Sequence, residues 1–238
     1  MKKLLLFVIG FSLLYHAEAA SWTDNFTELD HKRWSVVGNW VERKGGGLTL
    51  GNEDTDWATS GIRTTKSVGK PTKSVKLTAV FSNFKVTKVA KRQRDLIPCD
   101  NGVGLTLTPD PERRYFDTSS PGVQLTLLYD GALDSLQAVV FAKGANRPNG
   151  TSGALASSML RKGMGDAKVR AVLEVNGWAL HVHVFLDDQN AWSWNGCLPE
   201  ELGSVAYPSV FYQNTINGRG SADLESVTVD VEELSGAD

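Results

Sequence analysis

Apolar and polar residues alternate along short runs through most of this chain. "SVKLTAVFSNFKV" sets Val75, Leu77, Ala79 and Phe81 on one side. "GVGLTLTP" and "GVQLTLLYDG" repeat the pattern, the second aligning Val123, Leu125, Leu127 and Tyr129. A period of two places alternate side chains on one face of an extended chain, so each run predicts a strand with one buried face. "RWSVVGNWVERKGGGLTLGN" predicts strands around a Gly45-Gly46-Gly47 turn, "SLQAVVFAKG" predicts another, and "ADLESVTVDVEEL" a last one. Gly, Asn, Asp and Pro bound the runs, as turns require. The one short helical candidate is "SGALASSMLRKG", residues 152–163, which reads equally as loop. Two segments read as long surface loops, "VAKRQRDLIPCDN" and "AKGANRPNGTSGALASSMLRKGMGD". Many short strands with regular turns predict an all-β fold, a two-sheet antiparallel jelly-roll sandwich.

The most informative run is "KVRAVLEVNGWALHVHVF". Asn176-Gly177 predicts a two-residue hairpin turn, because both central residues of a type I′ turn need positive φ. That register pairs Val175 with Trp178, Leu173 with Leu180, Ala171 with Val182 and Val169 with Val184, an apolar face for the core. On the other face Val172 opposes His181 and Arg170 opposes His183. Three readings stay open for the histidines: metal ligands, ligand contacts or solvated residues. Zinc needs a third and fourth ligand. After residue 20 the only other histidine is His31, Glu174 sits nearer the turn, and Arg170 repels a cation.

"MKKLLLFVIGFSLLYHAEAA" bears on where the strands fold. Lys2 and Lys3 precede the apolar run Leu4–Leu14, and Ala17-Glu18-Ala19 fits a cleavage site. Residues 1–20 read as a secretory signal peptide, and residues 21–238 as a single sandwich domain, secreted or periplasmic. No later run reaches the roughly 18 apolar residues of a membrane-spanning helix, so membrane insertion is not expected. Without Lys2, Lys3 and Glu18 the chain carries 23 basic and 26 acidic residues, a net charge of −3. That balance argues against nucleic acid as a partner. Two cysteines, Cys99 and Cys197, predict one disulfide in an oxidising compartment, with two separate buried thiols as the alternative. Such a bridge would close a loop of roughly 100 residues, worth up to ~4.7 kcal/mol in the chain-entropy picture.

"WTDNFTELDHKRWSVVGNWVERKGGGLTL" reads as Asp-x-Phe, Leu-Asp-x-x-x-Trp, a tryptophan strand, a glycine turn and Leu-x-Leu. "GRGSADLESVTVDV" has the glycine-rich approach and Ala-Asp-Leu-x-x-Val-x-Val close of a final strand. With the Asn-Gly hairpin between them, the chain resembles the concanavalin A-like lectin/glucanase superfamily. The nearest types are laminin-G-like domains and the domain of 3-keto-disaccharide hydrolases. The resemblance implies a concanavalin A-like jelly roll with glycan binding or cleavage on a concave sheet. The Glu-x-Asp-x-x-Glu strand of retaining glucanases is absent; Asp230, Glu232 and Glu233 in "VDVEEL" do not match it. Some members bind structural calcium between first and last strands, which by position implies Asp24 and Asp223 here. Asn52, Asp54 and Asp56 in "NEDTDW" resemble a calcium loop only loosely, with Trp57 where an EF-hand needs Gly. Exposed turn acids are the alternative for both sets.

Seven tryptophans remain to be placed. Trp34, Trp40 and Trp178 alternate with core residues and are expected to be buried. Trp57, Trp192 and Trp194 flank polar loops, where an indole offers a flat apolar face to a sugar ring. For Trp192 and Trp194 the competing reading is packing against the disulfide. Trp57, Arg170, His181, His183, Trp192 and Trp194 together form the candidate surface of a secreted carbohydrate-binding domain for a polysaccharide or glycan. It needs no cofactor beyond structural calcium. Two other readings stay open. In a glycoside hydrolase or lyase of the keto-disaccharide type, Arg170, Glu174, His181 and His183 supply acid/base chemistry. In a laminin-G-like adhesion module, a protein is the partner.

Overall fold

The structure is a computed structural model that describes residues 20–38, 41–54, 59–68, 72–88, 101–110, 122–130, 134–146, 152–163, 166–199, 206–214 and 219–233. These form fifteen strands: β1 (Ala20–Asp24), β2 (Trp34–Gly38), β3 (Val41–Lys44), β4 (Gly47–Asn52), β5 (Thr59–Thr64), β6 (Thr72–Lys88), β7 (Asn101–Thr108) and β8 (Val123–Asp130). The chain continues through β9 (Ser135–Asn146), β10 (Ser152–Lys162), β11 (Val169–Asn176), β12 (Ala179–Leu186), β13 (Gln189–Cys197), β14 (Tyr207–Asn214) and β15 (Arg219–Glu233). One sheet runs β13-β12-β11-β6-β15-β4-β3, with β1 also on β15; the other runs β10-β9-β8-β7-β14-β5-β2. Every pairing is antiparallel, as the alternating runs predict.

The core lies between the sheets. Val75, Leu77, Ala79 and Phe81 of β6 are buried there, as are Val123, Leu125 and Leu127 of β8. Each large apolar side chain contributes about 1.5–3 kcal/mol by leaving water. The tryptophan motif near the N-terminus builds one end of this core. Asp24 accepts from the Phe26 amide at 2.8 Å and from the Trp34 indole N–H at 3.0 Å. This holds Phe26 at a φ of 57° and brings its ring to 6.2 Å from that of Trp34, both fully buried. Asp30 turns the intervening loop: its carbonyl accepts from the amides of Arg33 and Trp34, and its carboxylate from that of Lys32.

Gly51 and Gly220 are explained by Tyr212. A Cβ on Gly51 would stand 2.7 Å from the Tyr212 ring, and one on Gly220 2.4 Å from its hydroxyl. Tyr212 is fully buried with no partner for that hydroxyl, and burial pushes the phenol far above its ordinary pKa.

Four expectations change. Residues 152–162 are strand β10, not helix or loop, paired to β9 with register shifts at Ala154 and Met159. Its alanines fit a close edge pairing, with Ala154 and Ala156 buried. The long loop expected over 142–166 is therefore mostly two strands; the one expected over 89–101 lies outside the described residues except for Asn101, which begins β7. In the hairpin, Asn176 pairs with Ala179, so Gly177 and Trp178 form the turn. Gly177 alone has positive φ, 59°, the arrangement of a type II′ turn with glycine first. Trp178 is thus at the tip and 52 % exposed rather than buried. The slip shifts each cross-strand partner by two, so both faces keep their residues. Trp40 lies outside the described residues.

Candidate functional site

The β11–β12–β13 edge of the first sheet carries the sequence-predicted site. On its outer face His181 stands opposite Glu174, His183 opposite Val172 and Phe185 opposite Arg170. Across β13, Asn195 lies beside His181 and Ser193 beside His183. The β12–β13 turn is Asp187-Asp188, both with positive φ, the requirement of a type I′ turn. A register shift at Val184/Phe185 then sets Asn190 beside Phe185.

These side chains make an ordered polar array. His181 Nδ1 is 2.8 Å from Asn195 Oδ1, and His183 Nδ1 is 2.9 Å from Ser193 Oγ. Asn190 Nδ2 donates to Ser193 Oγ at 2.8 Å. The Asn195 amide oxygen can only accept, so His181 donates through Nδ1. Arg170 lies 3.6 Å above the Phe185 ring, a cation–π contact worth ~0.5–1 kcal/mol at exposed sites. Its 3.8 Å pairing with the largely exposed Asp188 adds little.

The structure divides the predicted surface. Trp192 pairs with Val184 and Trp194 with Val182, so both indoles share the inner face, opposite the histidines. They are partly buried and packed against the core. The Trp194 ring lies over Gly196, where a Cβ would meet it at 2.3 Å. Trp57 lies outside the described residues. Neither reading for Trp192 and Trp194, sugar platform or disulfide packing, matches this placement. Cys197 falls on the other face, at the end of the edge strand β13, and is a free, exposed thiol. Cys99 lies outside the described residues, and the expected bridge is not formed.

Asp24 and Asp223 are not brought together either. Asp24 pairs with Val227 and faces inward, its two oxygens taken by Phe26 and Trp34. Asp223 faces outward and clamps a bulge: it accepts from Thr49 at 2.6 Å and from Asn83, whose φ is 50°, at 2.8 Å. Two carboxylates on opposite faces with their oxygens committed do not fit a calcium site. In the acidic stretch Asn52 accepts from the Asp54 amide, Glu53 accepts from Ser221 and pairs with Lys85, and Asp56 lies outside the described residues. Among the described residues no three His, Cys, Asp or Glu side chains gather to hold a metal. Sequence reasoning missed Asn190, Ser193 and Asn195, although alternation with Trp192 and Trp194 would have found two of them.

No family model matches the chain. No characterised protein matches it by sequence. Solved structures do match by shape. The carbohydrate recognition domain of Emp47p superposes with a TM-score of 0.63 at 12 % identity, covering 91 % of this chain and 98 % of that one. Peanut lectin superposes with a TM-score of 0.60 at 14 % identity, covering 92 % of this chain and 100 % of that one. The exoplasmic/lumenal domain of VIP36, bound to Ca2+ and Man3GlcNAc, gives a TM-score of 0.60 at 14 % identity and 86 % coverage of each chain. The chain has the concanavalin A-like lectin fold, the two-sheet sandwich shared by these legume-lectin-like domains.

Proposed function

We propose that this protein is an exported carbohydrate-binding domain that holds its glycan without cleaving it. The structural neighbours that carry carbohydrate recognition support the class of ligand. The observation that carries the site is the outer hairpin array: His181, His183, Asn190, Ser193 and Asn195 as donors and acceptors beside the Arg170–Phe185 stack. Sugar hydroxyls each donate and accept, and such a row of amides, a hydroxyl and imidazoles can meet them in register. Trp192 and Trp194 support the array from the core side.

Binding is favoured over hydrolysis by the placement of carboxylates. Glycosidases set two carboxyl groups roughly 5–9.5 Å apart. Within the hairpin Glu174 and Asp188 sit at opposite ends, separated by roughly 20 Å of strand, and Asp230, two strands from Glu174 in the same outer row, is held by Lys76 and Ser21. Residues 1–20 serve as the export signal in this reading, with residues 21–238 as the mature domain. The VIP36 domain, named exoplasmic/lumenal, is compatible with that location. Calcium belongs to the proposal only as a requirement to be tested, since Asp24 and Asp223 do not supply a site.

The test is retention of the mature protein on immobilised plant, algal and host polysaccharides, with and without a chelator, while soluble sugar is measured. Retention without sugar release is expected. The His181→Ala/His183→Ala variant should lose at least ten-fold in affinity while its melting temperature stays within a few degrees. Unchanged retention in that variant would move the site off this face. Sugar release would replace binding by hydrolase or lyase chemistry. Absence of retention on the whole panel would favour a protein partner.

A further inference from the structure

A second site lies away from the hairpin, where β1 leaves a gap against the ends of β2 and β5. The cleft there has a volume of about 480 Å³, within the roughly 300–1,000 Å³ of small-molecule sites. Its floor is apolar. Trp22 projects from the inner face of β1 beside Val229, and Val68 and Val231 complete the surface. Val68 is fixed by a two-way backbone bridge to Ala206.

Its mouth is cationic. Thr65 donates its hydroxyl to the Lys32 carbonyl at 2.5 Å and its amide to the Arg33 carbonyl at 2.8 Å. These bonds tie the β1–β2 loop to the segment after β5, so Lys32, Arg33 and Lys66 surround one opening. All three are exposed, and none is held in an ion pair among the described residues. Arg33 stands 5.6 Å from the centre of the Trp22 ring. The one acid at the rim, Asp30, is turned back onto the Lys32 amide. Two polar groups in the wall, the Thr64 hydroxyl and the Trp22 indole N–H, are buried without a hydrogen-bond partner.

The geometry points to a binding site for a small amphipathic anion, its apolar body against Trp22, Val68 and Val231 and its carboxylate or sulfonate among Lys32, Arg33 and Lys66. An uncharged apolar molecule would gain nothing from the three cations at the mouth, and a fully hydrated anion would gain nothing from the floor. This site stands independently of glycan binding on the hairpin.

The test uses the mature protein and 8-anilinonaphthalene-1-sulfonate, read by dye fluorescence and by quenching of tryptophan emission, with decanoate and decan-1-ol as competitors. Saturable one-site binding is expected, with decanoate displacing the dye at least ten-fold more effectively than decan-1-ol. The Lys32→Glu/Lys66→Glu variant changes only exposed side chains. It should bind both dye and decanoate at least ten-fold more weakly, with unchanged circular dichroism and unchanged glycan retention. Non-saturable dye binding, equal competition by the alcohol, or unchanged affinity in the variant would each overturn the site. Loss of glycan retention in the variant would overturn its independence from the hairpin.

Discussion

The outer faces of the two sheets differ although both sheets share one core. On the first sheet the outer rows are mostly polar and reach solvent, the buried Val172 apart. Glu174, Lys76, Asp230 and Ser21 stand side by side across four strands, with a Lys76–Asp230 ion pair and a Ser21–Asp230 hydrogen bond. On the second sheet the corresponding positions are buried. Arg63, Ser209, Thr106, Gln124 and Phe141 form one row, and Phe211, Thr126 and Val139 belong to the next. The hydroxyls of Thr106 and Ser209 lie there without partners. Alternation therefore tells which residues enter the shared core. It does not tell whether the opposite face meets water.

One lysine on each face separates the two surfaces most strongly. Thr126→Lys places an ammonium where the native side chain is fully buried and should cost about 3 kcal/mol or more. Thr228→Lys, on the outer face of β15 beside Thr23, loses one exposed hydrogen bond and should stay within about 1 kcal/mol. Urea unfolding of both variants measures the difference, and similar losses would erase the distinction between the faces.

A smaller effect is expected where the core closes around Tyr212. Gly220→Ala brings a methyl group against the Tyr212 hydroxyl and the Lys85 carbonyl and should cost about 1–3 kcal/mol. Tyr212→Phe removes an unpartnered buried hydroxyl and should be neutral or stabilising. It should also relieve part of the Gly220→Ala loss, but not all, because the carbonyl remains. Since the buried phenol is held above its ordinary value, the unfolded chain ionises it first. This contribution to stability is whole below about pH 10 and falls as the pH rises. In an absorbance titration one tyrosine should stay protonated until the protein unfolds.

The fold was legible because period-two patterns and turn residues are local signals. Val75–Phe81 and Val123–Leu127 entered the core as their alternation required. The motif around Asp24, Phe26, Asp30 and Trp34 was visible too, yet Asp24, read as a calcium candidate, anchors an amide and an indole, and Asp30 turns the loop. Pairing between distant strands was not legible. Which face Trp192 and Trp194 share depends on β13 meeting β12 through a Asp187-Asp188 turn, and two aspartates in left-handed conformations carry no strong glycine signal. The Asn-Gly pair misplaced its turn because a type II′ hairpin needs positive φ at glycine alone. For the cleft, Trp22, Arg33 and Lys66 converge only after β1, β2 and β5 are assembled.

The smallest effect concerns the exposed rim of the first sheet, where Lys168 and Glu225 meet at 2.5 Å across β6. Burial alone would raise the Glu225 carboxyl. Hydrogen bonds from Lys168 and Ser82, with the Lys168 charge, outweigh it and hold the carboxyl below its ordinary value. The same hydrogen bond and charge raise Lys168. The folded protein thus binds the Glu225 proton less readily than the unfolded chain, so that contribution is present above the ordinary carboxylate value of 4.5 and is lost as pH falls through the lower folded one. Lys168 gives the opposite limb, present below 10.5 and lost as pH rises through its higher folded value. Both groups are more than one-third exposed, so solvent screening limits the pair to about 1 kcal/mol or less. Glu225→Gln should lower stability by that amount at pH 7, show no loss relative to the parent near pH 2, and narrow its deficit at 1 M salt. A deficit that is the same at pH 2 and pH 7 would mean that Glu225 acts through packing at the β15 bulge, and that this outer face is built more like its buried counterpart than its exposure indicates.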